Sequence, residues 1–304
     1  VPADLTDLTD QLVLGPSQAI GIPIALIGAV FLSLGAQFQH RGVTKVEASR
    51  GDAVPGLSMS QIFALLARPS WVTGTLLIGL AIVLQLTSLR FAPLIVVQPL
   101  GAIALVITSV LNARVSHVKL NRQSVRAIIF CVGGVGLFVT VAAFTAVEKR
   151  ITSAQLITIL IILAVVLAVF AVLFGLIRHR MGAIAYIVAA GVLYGFVATL
   201  AKVVINRIVQ GDFEWLTILC LVGLLAAGAG GAYCVQTAYS AGPPDLVIAG
   251  LTVVDPLVAV GIGVIVLGEA SQAPLYAIPL FIIAGAIAVY GVFQLAKHHP
   301  QARH

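Results

Sequence analysis

Asp255 is the residue of this chain whose chemistry is hardest to explain away. It lies in Val253-Val254-Asp255-Pro256-Leu257, midway along an apolar run from Leu246 to Leu267. At ~1.5 Å per residue, a helix over that run places the carboxylate about 14 Å from its start, near the midplane of a hydrocarbon core roughly 30 Å thick. A carboxylate at that depth is costly and needs a task or a partner. Two tasks are open. It takes up a proton or a cationic group, or it caps the second half of a helix interrupted at Pro256, because Asp followed by Pro is a favourable N-cap and N1 pair. The pattern recurs earlier as Val96-Val97-Gln98-Pro99-Leu100, with Gln98 where Asp255 stands. An amide donates and accepts, which suits a polar solute and equally suits a bond between helices. Pro99 and Pro256 each delete a helical hydrogen bond, so both helices are expected to kink or break.

Other polar residues in apolar runs complete the candidate set. Gln85 precedes Pro93 by eight residues and Gln236 precedes Pro244 by eight. Tyr194 and Tyr239, with Tyr186 and Tyr233, are candidate semi-polar walls, against the plainer role of packing or interfacial anchoring. Lys202, near one end of its run, is expected to snorkel to the interface, with an anionic head group as its alternative contact. Glu269 is expected to cap or pair at a helix junction, and His40 to be a solvated flank. Cys131, Cys220 and Cys234 lie inside apolar runs without metal-ligand spacing and read as packing residues.

The elements that must hold these side chains are set by composition. Of 304 residues, 60% are hydrophobic and 9% charged, against roughly 25% charged in a soluble domain. Nine spans are expected, near 18–39, 71–89, 93–112, 124–145, 153–177, 182–204, 214–239, 246–267 and 274–296. An acidic segment (1–17) precedes them and a short tail (297–304) follows, and residues 58–68 are expected to lie in the interface as a short helix. Placing the N-terminus outside leaves twelve basic residues inside and five outside, so N-out and C-in is the expected topology. The net charge of +6 is spread over short loops and is not a nucleic-acid footprint.

The proline patterns then divide the chain. Spans one to four (18–145) correspond to spans six to nine (182–296), leaving the fifth (153–177) unpaired. Corresponding helices lie five spans apart and so run in opposite directions, an inverted-topology repeat. In such folds, paired interrupted helices in the two halves mark the binding site. Glycines at 133, 134 and 136 and at 228, 230 and 231 are expected to let helix backbones approach closely.

The second copy reads Asp255-Pro256-Leu257, a small-residue apolar run, Leu267-Gly268-Glu269, then a last span carrying Gly285 and Gly291. That order resembles the EamA-type repeat of the drug/metabolite transporter superfamily. Phe91-Ala92-Pro93 through Val97-Gln98-Pro99-Leu100-Gly101-Ala102 looks more like its NIPA-type magnesium transporter branch. The resemblance runs from about residue 18 to 296. It departs from the ordinary ten-span pattern by lacking one helix, and the first copy shows Leu111-Asn112-Ala113 instead of L-G-E.

The all-α bundle so read is expected to be a multi-pass protein of the cell membrane and a secondary transporter working by alternating access. Its expected cargo is a small or amphipathic solute; the alternatives are a magnesium-type divalent cation or a lipid-linked glycan. No nucleotide motif and no set of catalytic residues at one depth is legible, so neither an enzyme nor a cofactor is expected. Its expected partners are the bilayer and that cargo, and a second copy of the chain is a candidate.

Overall fold

The computed structural model describes residues 16–48, 66–115, 122–147, 149–177, 182–211, 214–241 and 244–297. The acidic segment up to residue 15, most of the expected interfacial segment and the tail from 298 lie outside the described residues. Among the described residues are nine helices: α1 (Pro16–Ala48), α2 (Pro69–Phe91), α3 (Leu94–Val115), α4 (Arg122–Thr145), α5 (Ser153–Ile177), α6 (Ala183–Gln210), α7 (Trp215–Ala241), α8 (Pro244–Ile265) and α9 (Ala277–Lys297). Each is long and apolar enough to cross a membrane. Helices are what lipid demands, because every backbone N–H and C=O must find its partner within the segment. Hydroxyls in the spans obey the same rule. Thr199 donates to Gly195 O at 2.9 Å and Thr252 to Ile248 O at 2.8 Å, each one turn back.

Packing runs in two like sets. α1 packs on α2 and α3, while α6 packs on α7 and α8; α3 meets α4 as α8 meets α9. The two sets join through α4 against α9 and α3 against α8. The exchange is not complete, because α2 touches α6 and no comparable α7–α1 contact is found among the described residues. α5, the most apolar span with mean hydropathy 3.4, packs chiefly on α7.

The α4–α9 seam is built on absent side chains. A Cβ on Gly134 would run into the backbone of Ala288, and one on Gly291 into the backbone of Cys131. Lacking a hydrophobic drive in lipid, such helices associate by close van der Waals contact. The expectation for the neighbouring glycines is corrected: a Cβ added to Gly133 or Gly136 would meet no atom within 4 Å, so both face away from the seam. Residues one and two places apart point about 100° and 200° from each other around a helix, so the three cannot all face one neighbour. Spacing alone does not say which one does.

Of the expected kinks or breaks, the breaks are corrected. α3 continues through Pro99 and α8 through Pro256. Proline removes a donor, leaving the carbonyls of Ile95 and Thr252 without their usual N–H, but does not end either helix. A neighbouring bundle holds the rest of the turn in place. Asp255 therefore sits inside a continuous helix and is not a cap.

Candidate functional site

A cavity of about 420 Å³ lies among α1, α2, α3, α6 and α8. Gly28, Ala29 and Leu32 of α1 and Ala81 and Ile82 of α2 form its apolar wall. Its polar residues are Gln85, Gln98, Tyr194, Thr252 and Asp255. They come from four separate helices, which is why no local pattern groups them. Thr252 and Asp255 share α8 at a spacing of three and so the same face.

Asp255 is the acidic residue of this lining. Its Oδ1 is buried and finds no hydrogen-bond donor among the described residues. Such an orphaned acceptor is costly unless something else satisfies it, and at a cavity wall that something is a solute, a proton or water. Pro256 adds to the same wall, because it leaves the carbonyl of Thr252 without a helical donor. The lining thus carries one carboxylate and a few neutral oxygen acceptors among mostly apolar residues. No group of three or more His, Cys, Asp or Glu that could hold a metal is found among the described residues.

The remaining candidates lie elsewhere. Pro99 is outside this lining and, with Pro256, borders a second cavity of about 100 Å³ whose lining includes Val135, Phe138 and Val289. Gln236 is exposed on the outside of α7, as is Tyr239. The eight-residue spacing to proline thus brings Gln85 into the cavity but not Gln236. Tyr186 is buried and stacks on Phe174, with centroids 5.3 Å apart. Tyr233 is exposed, and the three cysteines are buried and unbridged.

Lys202 departs most from its expected place. It does not snorkel: it is 2% exposed, and its Nζ lies 3.0 Å from Glu269 Oε1 and 3.3 Å from Ala92 O. An interior carboxylate outbids the interface for this ammonium, because opposite charges attract more strongly away from water. Glu269, also buried, accepts from the backbone N–H groups of Leu94 and Ile95, both at 2.9 Å. Its carboxylate therefore sits on the otherwise unpaired donors that open α3, where the helix dipole favours negative charge. Glu269 does cap and pair at a helix junction, as expected. Gly268 allows this with φ +71°, a conformation that favours glycine. Gly263 gives the carboxylate room, since a Cβ there would lie 2.6 Å from Glu269 Oε2.

Nine helices apolar enough to cross a membrane among the described residues, five of them lining a cavity with a few polar side chains, are those of a multi-pass membrane protein. The family model described as Magnesium transporter NIPA matches residues 17–211, well over half of the chain, and the chain belongs to that family. The matched part runs through α6 and stops before α8, so it includes Gln85 and Gln98 but not Asp255. An uncharacterised protein of Corynebacterium glutamicum is 25% identical over 84% of this chain and 87% of its own length. Two probable magnesium transporters of Arabidopsis thaliana are each 26% identical: NIPA1 over 59% of this chain and 53% of its own, NIPA3 over 44% and 34%. No solved structure matches the chain.

Proposed function

We propose that this transporter moves a hydrated divalent cation, Mg²⁺ first among them, through the cavity bordered by Asp255. The observation that carries the reading is the buried, unpartnered Oδ1 of Asp255 in a largely apolar cavity whose other polar residues, Gln85, Gln98, Tyr194 and Thr252, are neutral. Mg²⁺ sheds its water reluctantly and is usually held by one or two carboxylates while keeping several waters. Six waters at roughly 30 Å³ each amount to about 180 Å³, which the cavity of about 420 Å³ accommodates. The waters of such an ion donate hydrogen bonds, and Gln85, Gln98, Tyr194 and Thr252 can accept them. A stripped ion would need an oxygen cage that these residues do not form. The magnesium transporters among the relatives favour the same cargo.

The matched packing of the two helix sets favours an inverted repeat rocking about this site, driven by a gradient. The charge count favours an N-terminus outside the cell membrane. A small amphipathic cation is the second reading. In its favour, the apolar second cavity shares Thr252 and Pro256 with the first and could take an apolar group.

The test is Mg²⁺ uptake into proteoliposomes reported by an entrapped indicator, for the wild type and Asp255→Asn. The amide keeps the shape and loses the charge, so uptake is expected to be abolished while the protein stays folded. Equal uptake by the two proteins removes Asp255 from the mechanism. A wild type that moves no Mg²⁺ but takes up a small organic cation favours the second reading.

A further inference from the structure

Resting on the reading of this chain as an alternating-access transporter, but not on its cargo, we propose that Lys202, Glu269 and the first turn of α3 form its gate. The gate is closed here, and opening it exposes the cavity to the face of the membrane on which Glu269 lies.

Three observations carry this. The first is the set of elements tied together. Glu269, in the α8–α9 connection, holds the amides of Leu94 and Ile95, and Lys202 of α6 bonds both Glu269 and Ala92. Val147 N donates to Glu269 O, and Gln18 of α1 donates to Ala146 O. One knot therefore joins both sets of helices at one end of the bundle.

The second is position. Ala92 to Val97 are all buried and stand between the knot and Gln98, the next residue along and a wall of the cavity. Leu94 and Gln98 lie one helical turn apart on one face. Releasing the first turn of α3 thus moves a cavity wall as it uncovers the cavity. Lys202 and Glu269 act as positioning residues through α3.

The third is a deficit that opening would relieve. Besides Asp255 Oδ1, the buried side-chain atom without a partner among the described residues is Gln18 Oε1, in this same knot. Water reaching it on opening supplies the missing donor, which offsets part of the bonds lost.

The opposite end is built differently in sequence. Counted from the matched prolines at 99 and 256, the position corresponding to Glu269 is Asn112, which carries no charge. The charged latch at the Glu269 end biases the resting protein toward closure on that side.

The experiment uses the full chain with Cys131, Cys220 and Cys234 replaced by serine. Gly101→Cys reports on the cavity, because Gly101 lines it and a Cβ there meets no atom within 4 Å. A membrane-impermeant thiol reagent is applied to each face of oriented vesicles in the absence of any cargo. Labelling from the Glu269 face is expected to be slower than from the other by about tenfold or more, and Glu269→Gln to remove most of that difference. Equal rates from both faces with the latch intact, or no effect of Glu269→Gln, overturn the proposal. As a second arm, Lys202→Cys with Glu269→Cys is bridged by a short cleavable thiol cross-linker. Mg²⁺ flux is expected to stop on bridging and return on cleavage, whereas a purely structural pair would leave it unchanged. If that variant fails to insert, the labelling arm decides alone. If the wild type moves no Mg²⁺, the cargo reading falls and the labelling arm still judges the gate.

Discussion

Removing Glu269 should harm the folded protein more than removing Lys202, and the two losses should not add. In Lys202→Met the carboxylate keeps its two backbone donors, 2.9 Å away, and the favourable end of α3. It loses one charged hydrogen bond, worth about 1.5–3 kcal/mol. In Glu269→Ala the buried ammonium, 2% exposed, loses its bond to the carboxylate and keeps that to the carbonyl of Ala92, and two buried amides lose their acceptor. Breaking a buried pair from one side costs about 3–5 kcal/mol. In the double variant the buried ammonium is gone as well, so its loss should fall below the sum of the singles by about 1–3 kcal/mol. The assay is equilibrium unfolding in detergent micelles, followed by the fluorescence of Trp71 and Trp215, for all four proteins. Additivity within about 0.5 kcal/mol would mean that the two side chains do not act as a unit. A costlier Lys202→Met would mean that the ammonium, not the carboxylate, organises the knot.

Asp255→Asn and Asp255→Ala should be folded and alike in stability to within about 0.5 kcal/mol, because an N-cap loss of ~0.5–2 kcal/mol cannot arise inside a continuous helix. A clearly weaker Ala variant in the same unfolding assay would restore the capping role. Gly268→Ala should cost about 1–2 kcal/mol through its left-handed backbone, while Gly101→Ala should be near neutral. Both are read by thermal melting in detergent. Cysteines placed at Ser58 and Lys149 in a cysteine-free chain should report sidedness in intact cells. An impermeant reagent is expected to label position 149 and spare 58, and the reverse pattern would invert the topology.

Much of this was legible from the chain because lipid leaves few options. Apolar runs of about 20 residues must become helices when no water is present to satisfy the backbone. The nine spans accordingly fall within a few residues of where hydropathy places them, as with Ser153–Leu176 against 153–177. A carboxylate at mid-span announces a polar interior for the same reason, and Asp255, Gln98, Gln85 and Tyr194 do share one cavity. What sequence could not decide is which face each helix turns inward, since these spans are apolar nearly all round and their periodicity carries little signal. Gln236 and Tyr239 face outward for that reason, and only Gly134 of the three glycines in α4 meets a neighbouring backbone. Lys202 and Glu269, 67 residues apart, meet through tertiary packing alone. A lysine near a span end has two ways to satisfy its charge, water at the interface or a buried carboxylate. Only the fold, by bringing Glu269 to the start of α3, selects the second.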